Sequence, residues 1–293
     1  MTYAADSFDT LPRLPTWVTS ASAETPEDVA FLSGAALNHL HLVLNREDVP
    51  QTLLRARLAL RAADASMTHQ GRPERASELR DAVAFLQPGD SPGPAGEVYL
   101  SWRRAIERPV SVNALHRALP DLEPDQIAVW LDGSGQGAPV ARAAAVVEAV
   151  LTDRPRDHTG AVLLADATLA QALGWSHVTS LLGLSLKRGD LRKSGDELRL
   201  ACHRAITTGV IEATRQAADL SRRAARLREV APKLRAKGAE EAVAVFLASD
   251  AVAPTALTSL RSDRAARRFC DRLVALGAVR ELTGRDTFRL YGV

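Results

Sequence analysis

The sequence is poor in cysteine and in aromatic residues. Its 293 residues include two cysteines, Cys202 and Cys270, and aromatic side chains make up 4% of the chain. Both cysteines lie on apolar stripes of predicted helices, so we expect two small buried side chains rather than a disulfide or a reactive thiol. The hydrophobic residues, 46% of the chain, are rich in alanine and leucine and therefore favour closely packed helices.

Long apolar runs are also missing. No stretch reaches the roughly 18 to 20 uncharged residues that a membrane-spanning helix needs. The N-terminus contains Asp6 and Asp9 and has neither a basic start nor an apolar block, so the pattern of a signal peptide is absent. We therefore expect a cytoplasmic protein without a membrane partner.

The sequence contains none of the common catalytic or metal-binding motifs. His-Glu-x-x-His, Gly-x-Ser-x-Gly, Cys-x-x-Cys and the Walker lysine do not occur. The seven histidines are scattered, and the adjacent Cys202 and His203 diverge by about 100° on a helix, so no metal site is expected. The glycine-rich segment 133–137 follows a helix and lacks a following Lys-Ser or Lys-Thr, which argues against phosphate binding. We expect neither an enzyme nor a cofactor.

Helical periodicity fills most of the chain. Thr25-Pro26-Glu27-Asp28 combines a capping residue, a proline at the first helical position and two acids, which together indicate a helix start. A Pro- and Gly-rich loop at 88–96 interrupts the periodicity. Predicted helices cover 25–44, 50–67 and 73–86, then pass through Trp102, start at Ser111, end at Gly133 and occupy three stretches within 138–186. The pattern predicts a mainly α fold with a multi-helical bundle as its body.

The longest helical pattern runs from Asp196 to Ala231, and Pro232 interrupts it. Its apolar residues step by fours and threes, as in a heptad seam: Ile206, Val210, Ala213, Ala217, Leu220, Ala224, Leu227, Ala231 and Leu234. We interpret this segment as an internal core helix. The alternative is a homodimer formed through 206–234.

The last thirty or so residues have the order of parts of a winged helix-turn-helix. Ser262 is suited to cap a helix, and Gly277 is suited to end it in the left-handed conformation. One face of this helix is apolar, with Ala266, Phe269, Cys270 and Leu273. The other face carries Arg264, Arg267 and Arg268. They lie near the N-terminal half of the helix, which in this fold usually enters a major groove.

After Gly277 the apolar period changes to two, which predicts a hairpin. The turn residues are Thr283-Gly284-Arg285-Asp286, and Arg285 is expected at the tip, against a phosphate backbone. Helices at 240–247 and 252–260 would complete a trihelical core. We therefore divide the chain into a loosely ordered arm (1–24), an all-helical body (25–237) and a C-terminal winged helix-turn-helix (238–293).

Charge is distributed unevenly along the chain. Its 37 basic and 35 acidic residues give a net charge of +2, but 221–293 holds 15 basic and 8 acidic residues. The remaining 22 and 27 leave this segment at +7 and the rest at −5. Such a split favours a nucleic-acid-binding end. Only four basic residues are lysines, a bias that genome composition explains, so the position of the arginines is more informative than their number.

Two resemblances add to this interpretation. Over Phe31–Leu37 (FLSGAAL), Pro88–Gly96 (PGDSPGPAG), Leu184–Lys193 (LSLKRGDLRK) and Asp286–Gly292 (DTFRLYG), the chain resembles the bacterial family catalogued as domain of unknown function 1403, which has no assigned activity. Leu276–Arg285 (LGAVRELTGR) is similar to the winged-helix end of many Fic-type AMP-transferases. The Fic catalytic signature is absent, since the chain has no His-Pro pair, so the second resemblance implies a DNA-binding end without transferase activity.

We therefore expect a bacterial protein that binds double-stranded DNA, as a transcriptional or plasmid-associated regulator with a helical body for oligomerisation or sensing. Arg264, Arg267 and Arg268 would enter the groove, Ser262 would contact a phosphate, and Arg285 would contact the backbone at the wing. The alternative is a non-catalytic interaction adaptor whose winged helix docks protein, because fold alone does not decide between these two partners.

Overall fold

The computed structural model describes residues 11–20, 25–87, 89–133, 135–234, 236–284 and 287–293. This part of the chain is mainly helical, as the sequence predicts, and its only ladder is one short two-stranded sheet. The predicted arm at 1–24 lies partly outside the described residues. Of that arm, the structure describes 11–20, where Thr16–Thr19 forms a single helical turn and Trp17 stacks on Phe31 with ring centroids 5.6 Å apart.

Thirteen α-helices occur in the described residues. In chain order they are α1 (Thr16–Thr19), α2 (Pro26–Leu44), α3 (Gln51–His69), α4 (Ala76–Ala84), α5 (Gly93–Glu107), α6 (Val112–Ala118), α7 (Pro124–Gly133), α8 (Pro139–Asp153), α9 (His158–Ala172), α10 (Leu182–Ser185), α11 (Gly195–Val230), α12 (Ala239–Ala248) and α13 (Asp263–Ala275). The strands are β1 (Arg280–Glu281) and β2 (Tyr291–Gly292). Short 3₁₀ helices lie at Asp190–Arg192, Ala231–Lys233 and Pro254–Ala256.

The predicted helix starts carry the expected caps. Thr25 and Asp28 bond reciprocally ahead of α2: the Asp28 amide donates to Thr25 Oγ1 at 3.1 Å, and the Thr25 amide donates to Asp28 Oδ2 at 3.3 Å. Ser111 caps α6 by accepting a hydrogen bond from the Ala114 amide at 3.2 Å. Side-chain oxygens at these positions satisfy amides that have no partner within the helix.

The chain divides into two compact units. The body unit comprises Leu14–Leu40 and Leu58–Ala213. The C-terminal unit comprises the described residues of Met1–Arg13, together with His41–Arg57 and Thr214–Val293. The C-terminal unit is therefore larger than the predicted module at 238–293, and the boundaries between the units fall within helices α2, α3 and α11.

Helix α9 is the centre of the body unit. Every residue from Thr159 to Ala170 is buried, and the helix packs against α5, α7, α8 and α10. A helix that is apolar on all sides requires neighbours on all sides. The one carboxylate in this stretch, Asp166, accepts hydrogen bonds from the amides of Leu181, Leu182 and Gly183 at 2.8 to 3.1 Å. It thereby anchors the start of α10.

Close packing surrounds this anchor. The Trp102 indole N–H donates to Ser66 Oγ at 3.0 Å, and a Cβ atom at Gly183 would lie 2.1 Å from the Trp102 ring. Only glycine leaves room for the indole at that position. Burial raises the pKa of the Asp166 carboxyl to about 7, against the opposing effect of its three amide donors.

Helix α11 follows the predicted heptad seam and ends at Val230, where Pro232 breaks it into a 3₁₀ turn. The seam residues of α11 are all fully buried within the chain: Ile206, Val210, Ala213, Ala217, Leu220, Ala224 and Leu227. This burial agrees with an internal core helix. A homodimer through 206–234 has no observation for or against it and stays a prediction.

In the C-terminal unit, Arg57 links separate segments. Its guanidinium forms an ion pair with the buried Asp250 and donates to the Val293 carbonyl at 3.0 Å.

Among the described residues, no helix is both long enough and apolar enough to cross a membrane.

Candidate nucleic-acid interface

The basic end of the chain is built on a small sheet. Arg280 pairs with Gly292 and Glu281 with Tyr291 in the antiparallel β1–β2 ladder. Tyr291 also forms a bridge with Val252, since each donates its amide to the other's carbonyl at 2.8 to 2.9 Å. The short segment at Val252 and strand β1 therefore lie on opposite sides of Tyr291.

The predicted helix at 252–260 is wrong. Val252 pairs with Tyr291, and only Pro254–Ala256 forms a helical turn, of the 3₁₀ type. Ala253 precedes a proline and is extended, with φ −78° and ψ 146°, as the proline ring requires. Leu257 then leaves the helical region with ψ 62°. The helix predicted at 240–247 is present as α12, with Val243 and Phe246 buried and Leu247 half-buried.

Helix α13 has both of its predicted ends. The Ser262 hydroxyl oxygen accepts a hydrogen bond from the Ala265 amide at 3.3 Å. Gly277 has φ 65°; its amide donates to the Val274 carbonyl, and the Ala278 amide donates to the Leu273 carbonyl. These two bonds form a Schellman motif, in which glycine avoids a steric penalty.

One face of α13 is buried and the other is exposed. Ala266, Phe269, Cys270 and Leu273 are buried, as the stripe predicts. Burial raises the pKa of the Cys270 thiol to about 12, so this cysteine has the character of a hydrophobe and not of a nucleophile.

The exposed face carries the predicted arginines. Arg264, Arg267 and Arg268 are all exposed, and Ser262 lies just before them at the helix start. Two further arginines were not predicted: Arg261 lies just before the helix, and Arg272 follows Arg268 at i+4 and extends the same face. We call Arg261, Arg264, Arg267, Arg268 and Arg272 the α13 arginine face; all five are exposed. No ion pair joins any of them to an aspartate or glutamate in the described part of the chain.

Two exposed acids accompany this face. Asp263 lies in the first turn of α13, one turn before Arg267. Asp271 lies one turn after Arg267 and accepts a hydrogen bond from the Tyr291 hydroxyl at 3.5 Å. Five arginines and two acids leave the face with three net positive charges.

The predicted hairpin is present, but its strands are shorter than expected. The Leu282 amide donates a hydrogen bond to the Leu290 carbonyl at 2.8 Å, and the Leu290 amide donates to Thr283 Oγ1 at 3.3 Å. Phe288 has φ 56°, which a strand residue does not adopt, and its side chain is 72% exposed. Arg285, predicted at the tip, lies outside the described residues.

The arginines at the end of α11 differ from those on α13. Arg223 and Arg222 contact Asp219 at 2.8 and 3.6 Å, and Arg226 contacts Glu229 at 2.9 Å. Their charge is therefore partly neutralised by acids on the same helix.

The body unit contains a Ser–His pair that was not predicted from the sequence. Ser33 Oγ lies 2.5 Å from His203 Nδ1, although 170 residues separate them in sequence. The Ser33 hydroxyl also donates to the Ala30 carbonyl at 2.9 Å and is fully buried. This contact joins α2 to α11. No cluster of three metal-ligating side chains occurs in the described residues.

A broad cavity of about 670 Å³ also lies in the body unit. Its ionisable side chains are Glu97, Asp121, Arg154, Arg156 and Asp157. Arg154 pairs with Asp157 at 3.8 Å and donates to the Asp121 carbonyl at 3.2 Å. With two cations and three anions, this lining is close to neutral and favours no class of charged ligand.

The described residues form a mainly α-helical protein that carries an exposed arginine face and a small C-terminal sheet. The chain belongs to the family described as "Protein of unknown function (DUF1403)", which matches residues 2–293. The comparison with curated proteins gives no match. The similarity of Leu276–Arg285 to Fic-associated modules gains no support from the family match and remains a resemblance.

Proposed function

We propose that this protein binds double-stranded DNA through α13, as a cytoplasmic transcriptional or plasmid-associated regulator. The observation that carries the proposal is the α13 arginine face: five exposed guanidiniums without an ion pair to a described acid. Such groups are available for phosphates and guanine edges, and counterions released from DNA would add to the binding free energy.

The order of elements at 238–293 matches part of a winged helix-turn-helix, with the 3₁₀ turn Pro254–Ala256 in the place of the helix that would precede the recognition helix. In it, α12 precedes the Val252 bridge, a 3₁₀ turn and α13 follow, and the β1–β2 hairpin closes the module. This arrangement leaves the arginine side of α13 exposed, as a recognition helix requires. Ser262 uses its oxygen for the cap and keeps its hydroxyl proton for a phosphate.

The test is a charge reversal at Arg267. Arg267→Glu should weaken binding to mixed genomic DNA fragments by roughly 10- to 100-fold at moderate salt, since it removes one contact and adds repulsion. The matched control is Arg228→Glu, which changes an exposed arginine of the same unit on α11. Circular dichroism should show both variants folded. Equal loss in both variants, or no loss in either, would overturn the groove assignment.

A protein-docking adaptor is the second candidate. The observation that favours it is the 72% exposed Phe288 in the hairpin, with Val274 39% exposed on α13. Exposed apolar side chains of this kind are common at protein interfaces. A salt titration separates the two candidates, because phosphate contacts give a steep dependence on salt. Absence of DNA affinity at low salt would favour the adaptor.

A further inference from the structure

A small cavity of about 230 Å³ lies within the C-terminal unit, between α11 and the segment that follows α13. Residues Gly277, Ala278, Val279 and Val293 supply its uncharged lining. Its charged lining consists of Asp219, Arg222, Arg223, Arg226 and Arg280. We call this cavity the arginine pocket.

The guanidiniums come from two different elements. Arg222, Arg223 and Arg226 occupy positions i, i+1 and i+4 on α11, whereas Arg280 comes from β1. Four arginines and one aspartate leave the ionisable side chains of the lining at +3. Asp219 is shared by Arg222 and Arg223, so one carboxylate serves two guanidiniums.

Arg280 is the least compensated of the four. No ion pair joins it to a described acid, whereas Arg226 pairs with Glu229 and donates to the Leu276 carbonyl at 3.3 Å. Partial burial, followed by the nearby cations Arg223 and Arg57, lowers the pKa of Arg280. An anion placed among these groups would relieve the repulsion between like charges.

We propose that the arginine pocket binds a small phosphate-bearing anion, at a site separate from the α13 arginine face. Guanidinium forks match phosphate oxygens in pairs, and a phosphate offers more oxygens and more charge than a single carboxylate. The cavity is smaller than the roughly 300–1,000 Å³ of sites for drug-sized ligands, so it suits a compact group such as pyrophosphate. The cavity is open to solvent, since Arg222, Arg226 and Arg280 are exposed, but its guanidiniums come from two elements and not from one helix face.

Binding would have a mechanical consequence for the unit. Arg222, Arg223 and Arg226 belong to α11, and Arg280 lies three residues after Gly277, which lies in the turn that ends α13. A bound anion would therefore link α11 to the connection between α13 and β1. This proposal does not depend on DNA binding.

The experiment is calorimetric titration of the full chain with pyrophosphate, at an ionic strength held constant with sodium chloride. Arg223→Gln and Arg280→Gln should each weaken binding by about 10-fold or more, because each removes a charged hydrogen-bonding partner. Arg267→Gln, which removes the same charge from α13 in the same unit, should bind pyrophosphate as the unchanged protein does. Equal weakening in all three variants, or no binding by the unchanged protein, would overturn the proposal.

Two further measurements distinguish anion recognition from a folding defect and from a DNA contact. Arg280→Lys keeps the charge but loses the fork, so weaker pyrophosphate binding with an unchanged melting temperature supports recognition by shape and not a folding defect. DNA retention is measured on the same variants. Pocket variants that lose DNA and pyrophosphate together would identify the pocket as a DNA phosphate contact and overturn the small-anion proposal. Loss of DNA by Arg267→Glu has no bearing on it, so the two proposals fail separately.

Discussion

The two compact units place their charged groups in opposite ways. In the body unit, Asp166 is enclosed and satisfied by backbone amides, and the cavity lining balances two cations against three anions. In the C-terminal unit, the arginine pocket carries a net +3 on its ionisable side chains, and the α13 arginine face is exposed. The net charge of +2 for the whole chain conceals this contrast. The buried carboxyl of the body unit bonds to backbone amides, whereas the arginines of the α13 arginine face are exposed to solvent.

The largest expected effect concerns the enclosed carboxyl of the body unit. The pKa of Asp166 is raised from 3.8 to about 7 in the folded protein, so the folded state retains a proton there that the unfolded state releases. Between about pH 4 and pH 7, stability should therefore fall as the pH rises, by up to about 1.4 kcal/mol per pH unit. The measurement is the free energy of unfolding in denaturant across this range.

Asp166→Asn is the matched variant for this prediction. It removes the titrating group while keeping one oxygen for the amides of Leu181 and Leu182, so it should flatten the pH dependence. If the Asn variant keeps the full dependence of stability on pH, other groups cause that dependence. The contrast between the two units would then lose its clearest example of a buried ionisable group.

The next effect tests the packing around that carboxyl. Gly183→Ala should destabilise the protein at the upper end of the usual 1–3 kcal/mol for an overpacked core, because its Cβ would meet the buried Trp102 ring at 2.1 Å. Gly34→Ala is the control: Gly34 lies in α2 with nothing within 4 Å of the added atom. It should stabilise by roughly 0.5–1 kcal/mol, the ordinary gain of alanine over glycine in a helix. Thermal melting of both variants measures the difference, and equal shifts would contradict the packing argument.

The smallest expected effect concerns the exposed arginines of the C-terminal unit. Arg268→Gln should reduce the slope of log affinity for DNA against log salt by about 0.9, the value of one lost phosphate contact. Arg228→Gln should leave the slope unchanged. Fluorescence anisotropy with a labelled duplex at several salt concentrations measures both. A change of slope in the Arg228 variant alone would move the interface from α13 to α11.

Local signals account for what the sequence predicted well. Caps at Thr25, Ser111 and Ser262 and the glycine stop at Gly277 depend on residues within a few positions of each other, so they are visible in the sequence. The apolar stripe of α13 is equally local. The same holds for the exposed side of that helix, where Arg264, Arg267 and Arg268 were found as expected.

Contacts between distant residues account for what the sequence missed. The helix predicted at 252–260 failed because Val252 pairs with Tyr291, a partner that no local pattern identifies. The arginine pocket forms only when Arg280 folds back to α11, and Ser33 meets His203 across 170 residues. The role of Asp166 was not predicted for another reason. A single acid in an apolar helix does not indicate that three backbone amides donate hydrogen bonds to it.

The hydrogen bond from Arg57 to the Val293 carbonyl has a consequence for the order of folding. It joins residues 236 positions apart, so the C-terminal unit must close a very long loop before this bond can stabilise it. The helices of the body unit from α4 to α9 meet mostly their neighbours in sequence, and such contacts form quickly. We expect refolding in two kinetic phases, in which the helical body becomes protected from hydrogen exchange first and the basic end acquires its sheet last.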